Sequence, residues 1–252
     1  MRLTTLGSST PYARPGNACS GYLVQSDSTN LWMDAGAGTL AELQRHIALD
    51  RLDGIWVSHA HADHSADLLT AYYALRFSGL RPTKPVPLII ATGLRGRLVT
   101  YLGGQAETLL DEAFAVTEMK QAASAVIGDL ALFWSPVRHG QPAFGLRVEA
   151  DSASLAYSGD TAVCQELIDL SSGCDTLLCE AGSDAHGAGD DPVHHTPEEA
   201  GESATAAGVR SLIVTHIGDG VSGEAAAMRA QGRFAGPVDV ARPGAVFPIT
   251  PR

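Results

Sequence analysis

The sequence predicts an α/β fold in which two β-sheets pack face to face and helices cover the outside. Three observations predict it. Along the chain the elements run strand-rich, helical, strand-rich, helical, the order expected of such a layered sandwich. Hydrophobic residues make up 45% of the 252 and charged residues 18%, enough apolar matter for a sizeable core. No repeat, low-complexity tract or linker divides the chain, so residues 1–252 read as one domain.

Leu3 to Leu6 reads as a strand that ends in the loop Gly7-Ser8-Ser9-Thr10-Pro11. Gly21 to Gln25 and Asn30 to Asp34 form a hairpin around the polar turn Ser26-Asp27-Ser28-Thr29. A helix is expected from about Thr39 to Leu49, with Leu40, Leu43 and Ile47 at helical spacing and His46 on its surface. Gly54-Ile55-Trp56-Val57 is a short buried strand, and Ser65 to Phe77 a helix. After a loop stiffened by Pro82, Pro85 and Pro87 come a strand at Leu88 to Ala91, a helix at Leu94 to Tyr101 and helical residues within Gln105 to Leu110. Strands follow at Phe114–Glu118, Leu130–Trp134, Phe144–Glu149 and Ser154–Tyr157. Helices are expected at Val163–Leu170, Pro197–Ala207 and Ala225–Gln231. Thr176–Cys179 and Leu212–Thr215 read as strands, and two short strands close the chain near Val238 and Val246.

The formal charge of −11 argues against a general nucleic-acid binder, which needs a basic surface to neutralise phosphates. Cys19, Cys164, Cys174 and Cys179 form no Cys-x-x-Cys pair, so no zinc ribbon or dithiol motif is present. The N-terminus breaks at Gly7 before any signal-peptide core develops, and no run approaches the ~18 apolar residues of a membrane span. A reducing, cytoplasmic setting is expected, with the thiols serving as small apolar residues.

The chemistry concentrates in Ser58-His59-Ala60-His61-Ala62-Asp63-His64. Side chains of an extended chain alternate with period two, so His59, His61 and Asp63 face one side, and His64 can turn in from the element that follows. Three imidazoles and a carboxylate are the ligand types a catalytic zinc takes. Further ligands are supplied later by a repeated pattern. His139, Asp160 and His216 each come at or just after the end of an apolar, strand-like run, as His59 does, so all can meet in one cleft.

These stretches, with Tyr157-Ser158-Gly159-Asp160-Thr161 and Leu212-Ile213-Val214-Thr215-His216, closely resemble the metallo-β-lactamase fold superfamily of hydrolases. The resemblance implies an αββα sandwich with mixed sheets and two divalent metal ions. It places His59, His61 and His139 on the first ion, Asp63, His64 and His216 on the second, and Asp160 between them. Zinc is the expected metal, and manganese or iron also suit a site with two carboxylates. Asp34 resembles the carboxylate that orients a ligand histidine, a role equally open to a turn or helix-capping Asp.

Within the superfamily the chain looks most like the ribonuclease Z and phosphodiesterase branch. Asp160 stands where true β-lactamases usually carry cysteine. Leu177-Leu178-Cys179-Glu180-Ala181 and His194-His195-Thr196 resemble that branch's Glu-Ala and His-x-Thr segments. Carried over, His194 protonates the leaving group and Glu180 orients it, with Asp63 counted among the catalytic groups as well as the ligands; His195 is a bystander. The same segment also reads as a helix start, with Thr196 capping and Glu199 three residues later. Ribonuclease Z enzymes grip tRNA with an extended basic arm, which many insert between the third histidine and the bridging aspartate. Here only twenty residues separate His139 from Asp160.

A small anionic substrate is therefore expected, such as a cyclic nucleotide or another phosphodiester, with no nucleic-acid or membrane partner and a homodimer by analogy with the branch. A water shared by the two ions would attack phosphorus or a carbonyl carbon. The same site would serve an acyl hydrolase, a lactonase or thioesterase, and a retained fold without catalysis is the third reading. Arg76, Arg81, Lys84, Arg95 and Arg97 fall in a stretch without Asp or Glu, 68–106, that either steers an anion or is a solvated face. Ser183 to Val193, rich in Gly and Asp and including His186, reads as a mobile loop at the mouth.

Overall fold

A computed structural model describes residues 1–79, 82–103 and 107–251. The first sheet is built from β1 (Arg2–Ser9), β2 (Ala18–Cys19), β3 (Gly21–Gln25), β4 (Asn30–Met33), β5 (Gly54–Val57), β6 (Val86–Ala91) and β7 (Phe114–Met119). The second contains β8 (Ala123–Ile127), β9 (Leu130–Pro136), β10 (Phe144–Ala150), β11 (Ala153–Tyr157), β12 (Thr176–Ala181), β13 (Ser211–Ile217) and β14 (Val238–Val240). A last strand, β15 (Val246–Pro248), returns to the free edge of β1, giving the order β15-β1-β3-β4-β5-β6-β7 with β2 beside β1. The second sheet runs β14-β13-β12-β11-β10-β9-β8.

Both sheets are mixed. β4 to β7 are parallel, as are β11 to β14, and the remaining pairs are antiparallel apart from β1 with β2. The helices are α1 (Thr39–Leu43), α2 (Ala62–Ser65), α3 (Asp67–Phe77), α4 (Leu94–Tyr101) and α5 (Glu107–Ala113) in the first half. The second half has α6 (Gln165–Ser171), α7 (Pro197–Ala207) and α8 (Gly223–Gln231).

Period two sorts the central strands between layers. Leu31 and Met33 of β4, Trp56 of β5, Tyr157 of β11, Leu178 of β12 and Ile213 of β13 share the core between the sheets. Their neighbours Trp32, Ile55 and Val57 pack outward under α1, α3, α4 and α5. Ala156, Leu177, Cys179, Leu212 and Val214 pack outward under α6, α7 and α8. The αββα layering follows, and it explains why these strands carry apolar runs that do not alternate with polar residues: each is buried on both faces.

The structure departs from the sequence reading in several places. β1 continues through Ser9, where a loop was expected, because Gly7 and Ser9 pair with β2. The expected helix 39–49 stops at Leu43; a separate turn of 3₁₀ helix covers Leu49–Arg51, and His46 is exposed between them. The strand β8 is short and largely exposed and has no counterpart among the expected strands. The Gln105–Leu110 expectation falls partly outside the described residues, and α5 starts at Glu107. Among the described residues no helix is long and apolar enough to cross a membrane. All four cysteines are free, with Cys19, Cys174 and Cys179 buried.

Candidate metal centre

Side chains gather where parallel strands end. Asp34 follows β4, Ser58 and His59 follow β5, Ser158 to Asp160 follow β11, Glu180 lies near the end of β12, and His216 near the end of β13. The carboxyl ends of parallel strands are where α/β sheets place ligands, because the chain leaves each strand there as an irregular, side-chain-bearing turn. Two of these positions are bent out of regular strand geometry. His216 has φ 48° and sits where the β12–β13 register slips, so a bulge re-aims its ring into the cleft. Asp34 has φ 58°, in the left-handed region that non-glycine residues seldom occupy.

The histidine loop differs from the alternating geometry read from its sequence. His61 is extended, but α2 begins at Ala62, so Asp63 and His64 project from a helical turn. They still converge with the others. His61 Nδ1 lies 2.9 Å from His59 Nε2 and 3.3 Å from His139 Nε2, and Asp160 Oδ2 is 3.5 Å from His59 Nε2. On the other side, His216 Nε2 is 3.3 Å from Asp63 Oδ2 and 3.4 Å from Asp160 Oδ2. His64 Nε2 is 3.2 Å from Asp160 Oδ1 and 3.8 Å from Asp63 Oδ2. The two carboxylate oxygens of Asp160 thus face different histidines.

These residues fit a metal. Ligand atoms about 2.05 Å from a tetrahedral centre lie roughly 3.3 Å from each other, close to most of the separations above. His64 Nε2 and Asp160 Oδ1 are buried and lie 3.2 Å apart without a well-directed hydrogen bond, the spacing of two ligand atoms on one ion. Asp34, Asp63 and Asp160 are all buried, and such a concentration of carboxylate calls for positive charge. Burial raises the Asp160 pKa, but the facing rings of His216, His64 and His59 outweigh it and hold the carboxyl well below its usual range. Burial, with His64 next, lowers His59, favouring the neutral ring a ligand needs.

A surrounding set fixes the rings. Asp34 Oδ2 lies 2.7 Å from His64 Nδ1 and accepts from Tyr157 Oη at 2.7 Å and Ser58 Oγ at 2.8 Å; Asp34 Oδ1 accepts Ser58 N–H at 2.7 Å. Ser58 Oγ is also 3.0 Å from His59 Nδ1, and Val193 O accepts from His139 Nδ1 at 3.0 Å. Thr10 Oγ1 donates to Asp63 Oδ2 at 3.4 Å. Gly36 must be glycine, since a Cβ there would run into the Asp63 carbonyl oxygen.

His194 stands beside the cluster. Its Nδ1 is 2.9 Å from Glu180 Oε1 and 4.0 Å from Asp160 Oδ2. Glu180 is fully buried; Oε1 also accepts Thr161 N–H at 2.9 Å and Oε2 accepts Gly182 N–H at 2.6 Å. Burial opposes charge on His194, but the Glu180 hydrogen bond and charge outweigh it and push its pKa up to about 9.

The structure therefore brings together His59, His61, Asp63, His64, His139, Asp160, His216, Glu180, His194 and Asp34. His186 lies outside, 2.9 Å from Glu199 Oε2. The loop 183–193 is tied down by that contact, by Arg229 to Asp184 at 2.6 Å and by Arg138 to Asp191. Of the basic stretch, Arg76 pairs with Glu112 and Arg95 with Asp111 on α5, whereas Arg97 reaches the loop at Ala60 O, 3.3 Å away. Arg81 lies outside the described residues. Sequence reasoning assigned no role to Ser58, Tyr157 or Thr10. Ser58 and Tyr157 stand inside quoted motifs, but nothing local marks a hydroxyl as the partner of a residue far away in sequence.

A family model described as the beta-lactamase superfamily domain matches residues 29–217. An uncharacterised Mycobacterium tuberculosis protein, Rv1339, is 36% identical over 244 residues, 94% of this chain and 88% of its own length. The Bacillus subtilis protein YhfI, named a probable metallo-hydrolase, is 25% identical over 256 residues, 98% of this chain and 99% of its own. The crystal structure of YhfI, a metallo-β-lactamase fold protein, superposes with a TM-score of 0.85 at 23% identity, covering 98% and 99% of the two chains. The short form of human tRNase Z superposes at 0.78 with 19% identity, covering 99% and 100%. The chain belongs to the beta-lactamase superfamily, with the metallo-β-lactamase fold, and resembles the ribonuclease Z and phosphodiesterase-like branch.

Proposed function

We propose that residues 1–252 act as a single hydrolase domain that cleaves a small anionic phosphodiester of the cyclic-nucleotide type. His59, His61 and His139 would hold one divalent ion, Asp63, His64 and His216 the other, with Asp160 shared. Zinc suits the imidazole-rich set. Bound ions would lower the pKa of a coordinated water towards about 7 and polarise the phosphoryl oxygens.

The chain's own residues supply the rest. Asp34 and Ser58 keep the Nδ1 atoms of His64 and His59 occupied, which leaves Nε2 of each ring for the cleft. Glu180 keeps a proton on His194 at neutral pH, in place to pass to a departing alkoxide oxygen. The His194–Glu180 pair is the observation that supports the phosphodiester reading over a thioester, because an alkoxide leaving group needs an acid more than a thiolate does; a lactone also releases an alkoxide, and relative rates separate the two.

Room for a small molecule lies next door. A cleft of about 340 Å³ is lined by Thr10, Arg14, Ile217, Ser222 and Arg242 among others, and Ile217 directly follows His216. Arg14 pairs with Asp219 and Arg242 with Glu224, and guanidinium forks retain donors beyond one carboxylate. The twenty residues between His139 and Asp160 are taken up by β10, β11 and their connections, with no arm between them for a tRNA.

Rates on bis(p-nitrophenyl) phosphate, a cyclic nucleotide, a homoserine lactone and a thioester test the proposal. It predicts turnover of the phosphodiesters. Turnover of the lactone or thioester alone would transfer the site to the acyl-hydrolase reading.

A further inference from the structure

Two consecutive histidines bracket Thr161, His195 directly and His194 through Glu180. His194 meets Glu180 Oε1, and that oxygen accepts the Thr161 N–H at 2.9 Å. His195 donates from Nδ1 to the Thr161 carbonyl oxygen at 2.6 Å, while Ser203 Oγ on α7 lies 3.0 Å from Nε2. His195, Thr161 and Glu180 are fully buried. The neutral ring with its proton on Nδ1 satisfies both contacts at once, with Ser203 donating. Both backbone polar groups of Thr161 are therefore held, and its nitrogen is bonded to the carbonyl carbon of Asp160.

The Thr161 side chain adds to the clamp. Its Oγ1 accepts the Arg138 N–H at 3.0 Å, and Ala162 N–H donates to Arg138 O at 2.8 Å, which ties the segment to the residue preceding His139. From the other side, α7 is anchored by its capping box at Thr196 and Glu199, immediately after His195.

We infer that His195 is a positioning residue: through the Thr161 carbonyl it fixes the backbone carrying Asp160 and so sets that carboxylate relative to His59, His64, His216 and the His194–Glu180 pair. The inference rests on reading the cleft as a two-metal hydrolytic centre. It gives a task to a histidine that touches neither the cluster nor solvent. Shape alone would not call for imidazole here, whereas a donor towards Thr161 and an acceptor for Ser203, on opposite edges of one rigid ring, do.

Two variants separate the ring's two contacts. The amide nitrogen of His195→Asn is attached to Cγ, as Nδ1 is, and can keep the bond to Thr161. That of His195→Gln lies one atom further out, as Nε2 does, and can keep only the bond to Ser203. Zinc affinity is measured by competition with a chromogenic chelator, and kcat and KM on bis(p-nitrophenyl) phosphate and a cyclic nucleotide, with thermal melts alongside. Removing a residue that orients a ligand typically weakens metal binding or activity about 10–100-fold, and His195→Gln is expected to lose that much in zinc affinity and kcat with little change in KM. His195→Asn is expected to lose no more than about threefold, well short of that range. Equal losses in the two variants would overturn the inference. So would a His195→Gln protein that melts lower yet keeps wild-type zinc affinity and kcat, since that is a packing role only. If the wild type turned over no phosphodiester, the functional reading would fall, while the zinc comparison would still decide the role of His195.

Discussion

Asp160 faces histidines of both residue sets, with Oδ2 towards His59 and His216 and Oδ1 towards His64. Asp160→Asn removes that shared charge and is expected to leave less metal bound and no measurable turnover; full metal content with wild-type rate would contradict its place. The acid beside it has a testable titration. Glu180 raises the His194 pKa to about 9, so the acid form is present below that pH and lost as pH rises through it. Glu180→Gln takes away the raising charge, and the alkaline limb of the kcat profile on an alkoxide-releasing substrate should move down towards the ordinary histidine value of about 6.5. An unmoved limb would detach His194 from the chemistry. His194→Ala should cost about 10²–10⁴-fold on poor leaving groups and far less on p-nitrophenolate, a contrast that rates on the two substrate types would reveal.

At the scale of elements, the site is an outcome of parallel strands ending together. Strand ends were legible in sequence because the strands are buried on both faces and read as unbroken apolar runs: β5, β11, β12 and β13 each carry one. His59, Asp160 and His216 could be picked out for that reason. The bulge that turns His216, the left-handed Asp34 and the helical turn carrying Asp63 were not legible, because each depends on a neighbouring strand or loop distant in sequence. β8 escaped for the opposite reason, being an edge strand with little burial. The start of α7 was legible as a local signal, and its capping box is present, with Thr196 Oγ1 accepting from Glu199 N–H. Thr196→Ala should lower stability by about 1 kcal/mol, read as a lower denaturant midpoint, and an unchanged midpoint would show the cap contributes nothing. Gly36→Ala should be worse than its size suggests, since the added Cβ presses on the backbone of Asp63.

For the whole molecule, the charge of −11 coexists with a cleft bordered by Arg14 and Arg242. That distribution suits a small anion rather than a polyanion, whose many phosphates would meet the acidic remainder of the surface. The basic stretch that looked like one steering surface divides in the fold: Arg76 and Arg95 pair with acids of α5, and Arg97 reaches the histidine loop at Ala60 O. Sequence proximity to the loop could not show this, because α5 and its acids Asp111 and Glu112 arrive from further along the chain. The account's central claim is that one cleft holds two ions on two residue sets sharing Asp160. Metal content per chain tests it most directly, measured by elemental analysis on the wild type and on His216→Ala. The account predicts about two ions per chain in the wild type and about one in the variant, as expected of paired sites of this kind. A single ion in the wild type, or a variant that keeps the full complement, would contradict it.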